Sequence, residues 1–386
     1  YKYKTTYIVI CTYKSVNTNE APTNSSLLFP MNHQLLQHLS SLYFPDWKPF
    51  FRSFLPPVQY HWKYCKMPKY CVTGGTGFIA ANIVKALLEQ GHFVKVTVRN
   101  PGDSNKVGFL WELDGAKQRL ELIKADLMEE GSFDDAIEAV DGVFHTANPV
   151  LVAYDDNVQE NLVVPTINGT ENVLNSCAKS KSLKRVVLTS SCSAVRYRVD
   201  AQELSPLNES NWSDIEYCKL NKLWYGYAKT LGEKAAWKMA KEKGIDLVVV
   251  NPSFVIGPLL APHPTSTLLM TLAIIKGISG EYPNTNLGFV HIDDVVAAHI
   301  LAMENNEASG RLICSGPVAH WSDILNMLRK NYPFYPYATK SDRRTGDNVK
   351  HSMDTSKIAQ LGLPPFKTIE EMFADFVKSF QEKGYL

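Results

Sequence analysis

The stretch that most constrains this chain is "YCVTGGTGFIAANIVKALLEQGH", which begins at Tyr70. "KYCV" is a short apolar run of strand type and "TGGTG" is a turn. "FIAANIVKALLEQG" then carries apolar residues at helical spacing up to Gly91, which suits a helix C-cap. The glycines follow a G-x-x-G-x-x-A spacing on Gly74, Gly77 and Ala80. Small residues at these places let the backbone approach a pyrophosphate and let the helix pack close to its strand. The unpaired N–H groups and positive dipole end of the helix then face the phosphates. A glycine triplet alone marks only a tight turn. With a strand before it and a helix after it, the stretch predicts a dinucleotide cradle made of Gly74, Gly75, Thr76, Gly77, Phe78 and Ile79.

Residues 1–66 read differently. They are rich in Tyr, Phe, Ser and Pro, and no apolar periodicity holds for more than a few residues. A single arginine, Arg52, argues against a transit peptide, and "YIVIC" is too short for a secretory core. The expectation is a leader without a motif, either a gene-model artefact or disordered, with Met67 as the start of the functional protein. The 386 residues are 45% hydrophobic and 20% charged, with a formal net charge of +1, which is ordinary globular usage. That balance gives no electrostatic case for nucleic acid or for an anionic membrane. Apolar runs such as "LLMTLAII" (268–275) are too short to span a bilayer. The seven cysteines never form C-x-x-C, so neither a disulfide framework nor a metal site is indicated, and a reducing compartment fits.

The next strand is "FVKVTVRN" (93–100). Where enzymes using the unphosphorylated dinucleotide carry an acid for the ribose 2′-hydroxyl, this chain has Arg99, with Lys106 in the following loop. Cations there suit a 2′-phosphate, so NADPH is expected over NADH. A third strand, "ELIKADL" (121–127), brings Asp126 and Leu127 to the adenine side. A fourth, "GVFHTANPV" (142–150), brings Thr146 and Ala147 beside the cofactor, with His145 read as a packed strand residue.

"KRVVLTSSCSAV" (184–195) is an apolar strand ending in hydroxyls, and "NKLWYGYAKTLGEKAAWKMAKEKG" (221–244) is a long helical pattern. The latter holds Tyr225 and Lys229, which share a face at i and i+4. An ammonium beside a phenol favours the phenolate and lowers the Tyr pKa. Tyr227 competes, but its i+4 residue is Leu231.

Together these stretches resemble the extended short-chain dehydrogenase/reductases: "VTGGTGFIA", "TSS", "YGYAK", "NPSFVIGP" and "FVHIDDVVAAH" occur in that family's order from Met67 onward. The plant branch of dihydroflavonol and cinnamoyl-CoA reductases is most similar. Within it, "VGFLWE", "SCSAVRYR", "ESNWSDIEYCK", "PTSTLLM" and "ICSGPVAHWSDI" resemble tetraketide α-pyrone reductases, above all the second type, which act in sporopollenin precursor synthesis for the pollen exine. The resemblance implies roles. Tyr225 would protonate the substrate oxygen as hydride arrives. Lys229 would hold the nicotinamide ribose and tune Tyr225. Ser191 would hydrogen-bond the carbonyl. Pro252, Ser253 and Val255 would lie against the nicotinamide, and Asn172 would support Lys229 through water. Leu223, Gly226 and Ala228 depart from the cinnamoyl-CoA reductase pattern, which weakens a lignin role. Arg196, five residues past Ser191, is expected either to pair with an anionic pyrone oxygen or to cap its loop.

The expected architecture is α/β: a Rossmann, doubly wound parallel sheet over 67–257. A smaller C-terminal substrate-binding lobe follows over 258–386, with segments around 285–303 returning to the sheet. "HPTSTLLMTLAIIKG" (263–277) is expected to line the pocket, and Asp293 or Asp294 to cap a helix. The expected activity is NADPH-dependent reduction of a side-chain ketone on a tetraketide α-pyrone. Phenolic aldehyde, thioester or dihydroflavonol reduction is the rival. A non-catalytic NADP sensor is disfavoured because it has no need of Ser191, Tyr225 and Lys229 together. The expected partner is a small polyketide or phenolic substrate and the expected location cytoplasmic, with loose association with pathway enzymes at the endoplasmic reticulum left open.

Overall fold

A computed structural model describes residues 7–14, 24–31, 63–65, 67–149, 157–278, 280–343 and 348–386. Contacts divide the chain into two units, residues 1–68 with 91–93, and residues 69–90 with 94–386. In the first unit, β1 (Tyr7–Lys14) pairs antiparallel with both β2 (Asn24–Met31) and β3 (Lys63–Cys65). The sequence reading expected no regular elements there.

The second unit is built on a seven-stranded sheet in the order β6-β5-β4-β7-β8-β9-β13. Its strands are β4 (Lys69–Val72), β5 (Phe93–Val98), β6 (Leu120–Lys124), β7 (Gly142–His145), β8 (Arg185–Thr189), β9 (Leu247–Pro252) and β13 (Gly310–Cys314). The pairs β5–β6, β4–β7, β7–β8, β8–β9 and β9–β13 run parallel. The order reverses between β4 and β7, and the crevice beyond the carboxyl ends of strands at such a switch point is where doubly wound sheets bind ligands.

Apolar runs such as "VVL" in β8 and "LVVV" in β9 form central strands because helices cover both sheet faces. Alternation then sorts their side chains. Val187, Val248 and Val250 pack with α1 (Phe78–Glu89) and with Val295, Ala298 and Ala302. Val186, Leu188, Leu247 and Val249 pack on the other face with α2 (Val164–Lys179) and α3 (Trp224–Lys243).

A smaller sheet, β10 (Phe254–Ile256), β12 (Asn286–His291) and β14 (Val318–His320), lies in the C-terminal part. The two-residue strand β11 (Glu281–Tyr282) pairs with β15 (Lys340–Ser341). The core here joins Leu268 and Leu272 of α4 (Ser266–Ile275) to Trp321, Phe373 and Phe376. α5 (Ile292–Glu304) carries the chain back to the large sheet, and β13 joins that sheet beyond the segment expected to return. The N-cap of α5 is His291, whose Nδ1 accepts the Asp293 N–H at 3.1 Å, so the expected cap at Asp293 or Asp294 is corrected: both aspartates lie inside the first turn. Among the described residues, no helix is long and apolar enough to cross a membrane.

Candidate active site

The cradle lies at the carboxyl end of β4. Gly74 has φ of +71°, and a Cβ there would stand 3.0 Å from the Ala147 backbone. A Cβ on Gly75 would be 1.9 Å from Val96 Cγ1. The loop is pinned to the end of β5, because Gly75 N donates to the Thr97 carbonyl at 2.9 Å and Gly74 N to Thr97 Oγ1 at 3.2 Å. Gly77 caps α1 with extended backbone and no side-chain hydrogen bond, so the first-turn N–H groups of α1 face outward.

Thr73, just ahead of the glycines, joins the two strands flanking the switch point. Its Oγ1 accepts N–H groups from Thr146 at 3.1 Å and Ala147 at 3.0 Å, and lies 2.9 Å from His145 Nδ1. With two N–H groups already accepted, the Thr73 proton goes to Nδ1 and the imidazole proton sits on Nε2. Burial, with Lys229 nearby, pushes the His145 pKa down to about 3, so the ring is neutral. The sequence reading placed Thr146 and Ala147 here but missed Thr73. The only trace of it in the sequence is a hydroxyl residue opening "TGGTG".

Arg99 is exposed at the end of β5, and Lys106 is exposed and 3.5 Å from Asp103. Asp126 accepts the Met128 N–H at 2.9 Å, which fixes the turn after β6. Asn172 donates to the Leu127 carbonyl at 2.8 Å. It therefore shapes the loop after β6.

Tyr225 and Lys229 lie on α3, one turn apart. Lys229 is buried, its Nζ donates to the Thr189 carbonyl at 3.2 Å, and it sits 6.0 Å from the Tyr225 ring centroid. Burial lowers its pKa to about 8. Thr189 is itself held: His299 Nδ1 donates to the Val295 carbonyl at 2.7 Å, so Nε2 accepts the Thr189 hydroxyl at 2.8 Å. Tyr227 instead packs edge-on against Trp224, with its ring 5.5 Å from Lys219.

Ser191 follows β8 and caps the short turn Cys192–Ala194, its Oγ accepting the Ser193 N–H at 3.0 Å. One lone pair is thus occupied while the hydroxyl proton remains to be donated. Gly226 lets α3 lie on this turn. A Cβ there would be 2.3 Å from the Tyr197 ring and 3.1 Å from the Ser193 carbonyl. Read in sequence only as a departure from relatives, Gly226 sets the approach of the Tyr225 helix to the Ser191 turn.

Pro252 ends β9, Val255 is buried in β10, and Ser253 Oγ is buried with no hydrogen-bond partner among the described residues. Arg196 is buried as well. Its guanidinium donates to the Asn286 carbonyl at 3.0 Å and to the Tyr197 hydroxyl at 2.8 Å. These contacts tie the Ser191 loop to β12 and support the structural alternative for Arg196. α4 directs Leu268 and Leu272 to the lobe core and leaves Leu269 and Met270 exposed.

Residues 70–313 match the model of the NAD dependent epimerase/dehydratase family. The chain belongs to this family. A relative from Arabidopsis thaliana, tetraketide alpha-pyrone reductase 2, is 67% identical over 321 residues, which are 83% of this chain and 100% of that protein. Among solved structures, vestitone reductase from alfalfa (Medicago sativa) superposes with a TM-score of 0.68 at 35% identity, over 83% of this chain and 100% of that one. Yeast methylglyoxal/isovaleraldehyde reductase Gre2, complexed with NADPH, superposes with a TM-score of 0.69 at 26% identity, over 82% of this chain and 100% of that one. All three are named reductases, and the matched residues 70–313 include the cradle, Ser191, Tyr225 and Lys229.

Arg99→Ala is expected to weaken NADPH binding by roughly 10- to 100-fold, the worth of a charged hydrogen bond, and to leave NADH binding nearly unchanged. Fluorescence titration with both cofactors checks this. Equal losses would show that Arg99 does not read the 2′-phosphate.

Proposed function

We propose that the chain is an NADPH-dependent carbonyl reductase that reduces the side-chain ketone of a tetraketide α-pyrone to a hydroxyl. The carrying observation is Lys229, buried, anchored on Thr189 and set against Tyr225 beside a glycine cradle. The residues fit the cofactor. The cradle leaves no room for a Cβ at Gly75, the buried Ser253 Oγ has no partner among the described residues, and a cation rather than an acid follows β5. Gly74 to Ile79, Arg99, Lys106, Asp126, Leu127, Thr146, Ala147, Lys229 and Pro252 to Val255 would hold NADPH, which supplies hydride when bound.

The chain's own residues supply the rest. Ser191 donates its hydroxyl to the substrate carbonyl oxygen and stabilises the charge developing there. Tyr225 gives that oxygen its proton, so hydride plus proton convert C=O to CH–OH. The Lys229 ammonium stabilises the phenolate left behind. The 67% identity to a tetraketide alpha-pyrone reductase supports this substrate class. A cytoplasmic location goes with this proposal, and cell fractionation checks it; recovery with the endoplasmic reticulum would show the loose association with pathway enzymes that the sequence left open.

The test is NADPH oxidation against a panel of hydroxyalkyl α-pyrone ketones, dihydroflavonols and hydroxycinnamoyl thioesters. It is run with the full chain and with residues 67–386, which are expected to match. Preferred turnover of the pyrones is expected, and turnover confined to another class overturns the reading. In the same assay, Arg196→Gln is expected to lower Tm and to slow an ionised 4-hydroxypyrone and its neutral O-methyl ether alike. Selective loss on the ionised substrate would restore the pairing role.

A further inference from the structure

One turn beyond Lys229 on α3 lies Glu233, which is 2% exposed. Its carboxylate receives five donor contacts from four residues. Oε1 accepts Arg311 Nε at 2.6 Å and Trp237 Nε1 at 3.3 Å. Oε2 accepts Ser190 Oγ at 2.5 Å, Asn251 Nδ2 at 2.9 Å and an Arg311 terminal nitrogen at 3.4 Å. Trp237 lies on α3 itself, and the other three donors come from strands or their ends: Ser190 after β8, Asn251 in β9 and Arg311 in β13.

The same donors grip the backbone around Ser191. Asn251 Nδ2 donates to the Ser191 carbonyl at 3.2 Å, and Arg311 donates to the Ala194 carbonyl at 3.2 Å. Arg311 is in turn fixed by the Asn211 and Glu209 carbonyls and by the Trp212 ring, 3.9 Å from its guanidinium carbon. No contact in this set touches the cradle, the Arg99 loop or the lobe helix α4.

We propose that Glu233, neutralised by Arg311, is a positioning residue that locks the Ser191 turn in register with Tyr225 and Lys229. The carboxylate sits on the helix carrying the acid and bonds to the strand end carrying Ser191, one turn beyond the Lys229 contact with the Thr189 carbonyl. Its lone pairs are filled from both sides, so the two elements cannot slide without breaking charged, buried hydrogen bonds. The unlike charges offset one another in this buried setting, where an unpaired member would be costly. Glu233 also favours the ammonium form of Lys229, against the effect of burial.

This inference rests on the proposed carbonyl reduction at Ser191, Tyr225 and Lys229, and not on which ketone is reduced. The test uses the full chain with NADPH and whichever carbonyl in the panel the wild type reduces. Glu233→Gln is expected to lower kcat roughly 10- to 100-fold, the scale of a small misplacement of reacting groups, with KM and NADPH affinity within about threefold. The alkaline limb of its kcat profile is expected to move to lower pH, a change that partial misfolding does not produce. Ser190→Ala removes one contact without stranding a buried charge, and is expected to lower kcat roughly 3- to 10-fold at unchanged KM. It decides the matter if Glu233→Gln fails to fold. Wild-type kcat in Ser190→Ala, or a lowered Tm in Glu233→Gln with kcat and the alkaline limb unchanged, overturns the positioning role. A wild type that reduces no carbonyl in the panel overturns the underlying reading instead.

Discussion

Tyr225→Phe is expected to bind NADPH as the wild type does and to lose about 10²- to 10⁴-fold in kcat, the usual worth of a positioned general acid. The substitution removes one oxygen and leaves the ring on the face of α3 that Lys229 shares. The cradle, formed far earlier in the chain around Thr73 and Gly74, is untouched. Tyr227→Phe is the matched control. Tyr227 packs against Trp224 and beside Lys219, so its loss is expected to cost little turnover. Stopped-flow measurement of NADPH oxidation, with cofactor titration on the same samples, separates the two variants. If Tyr227→Phe were the inactive one, the acid would be misassigned.

Lys229→Met fills the same buried space without charge and is expected to fail twice over, in NADPH affinity and in kcat, the latter by about 10²-fold or more. The pH dependence gives a sharper readout. Burial lowers the Lys229 pKa to about 8, so the ammonium is present below that pH and is lost as pH rises through it. Wild-type kcat for ketone reduction is therefore expected to be highest below about 8 and to fall above it. With no cation beside it, Tyr225 in Lys229→Met holds its proton to higher pH, so the alkaline limb should move upward while the plateau drops. An unchanged limb would show that Lys229 does not set the ionisation of the acid.

The parts of this protein legible from sequence are those whose signal is local. "KYCV", "TGGTG" and the helix after it state a strand, a left-handed turn and a capped helix within about twenty residues, because backbone conformation and amphipathic period are short-range properties. The Tyr225–Lys229 pair is local for the same reason, since one helical turn joins them. The continuous valines of β8 and β9 likewise declare strands covered on both faces. Tertiary structure alone decided the rest, because its partners are distant in the chain and meet only when the sheet closes. Arg196 reaches a carbonyl 90 residues away, and Thr189 reaches a histidine 110 residues away. Glu233 and Arg311 are separated by 78 residues, and nothing in the stretch around either one announces the other. A buried hydrogen bond leaves no period or spacing in the sequence. It follows from which strand lies beside which, and that order is fixed by the packing of the whole sheet.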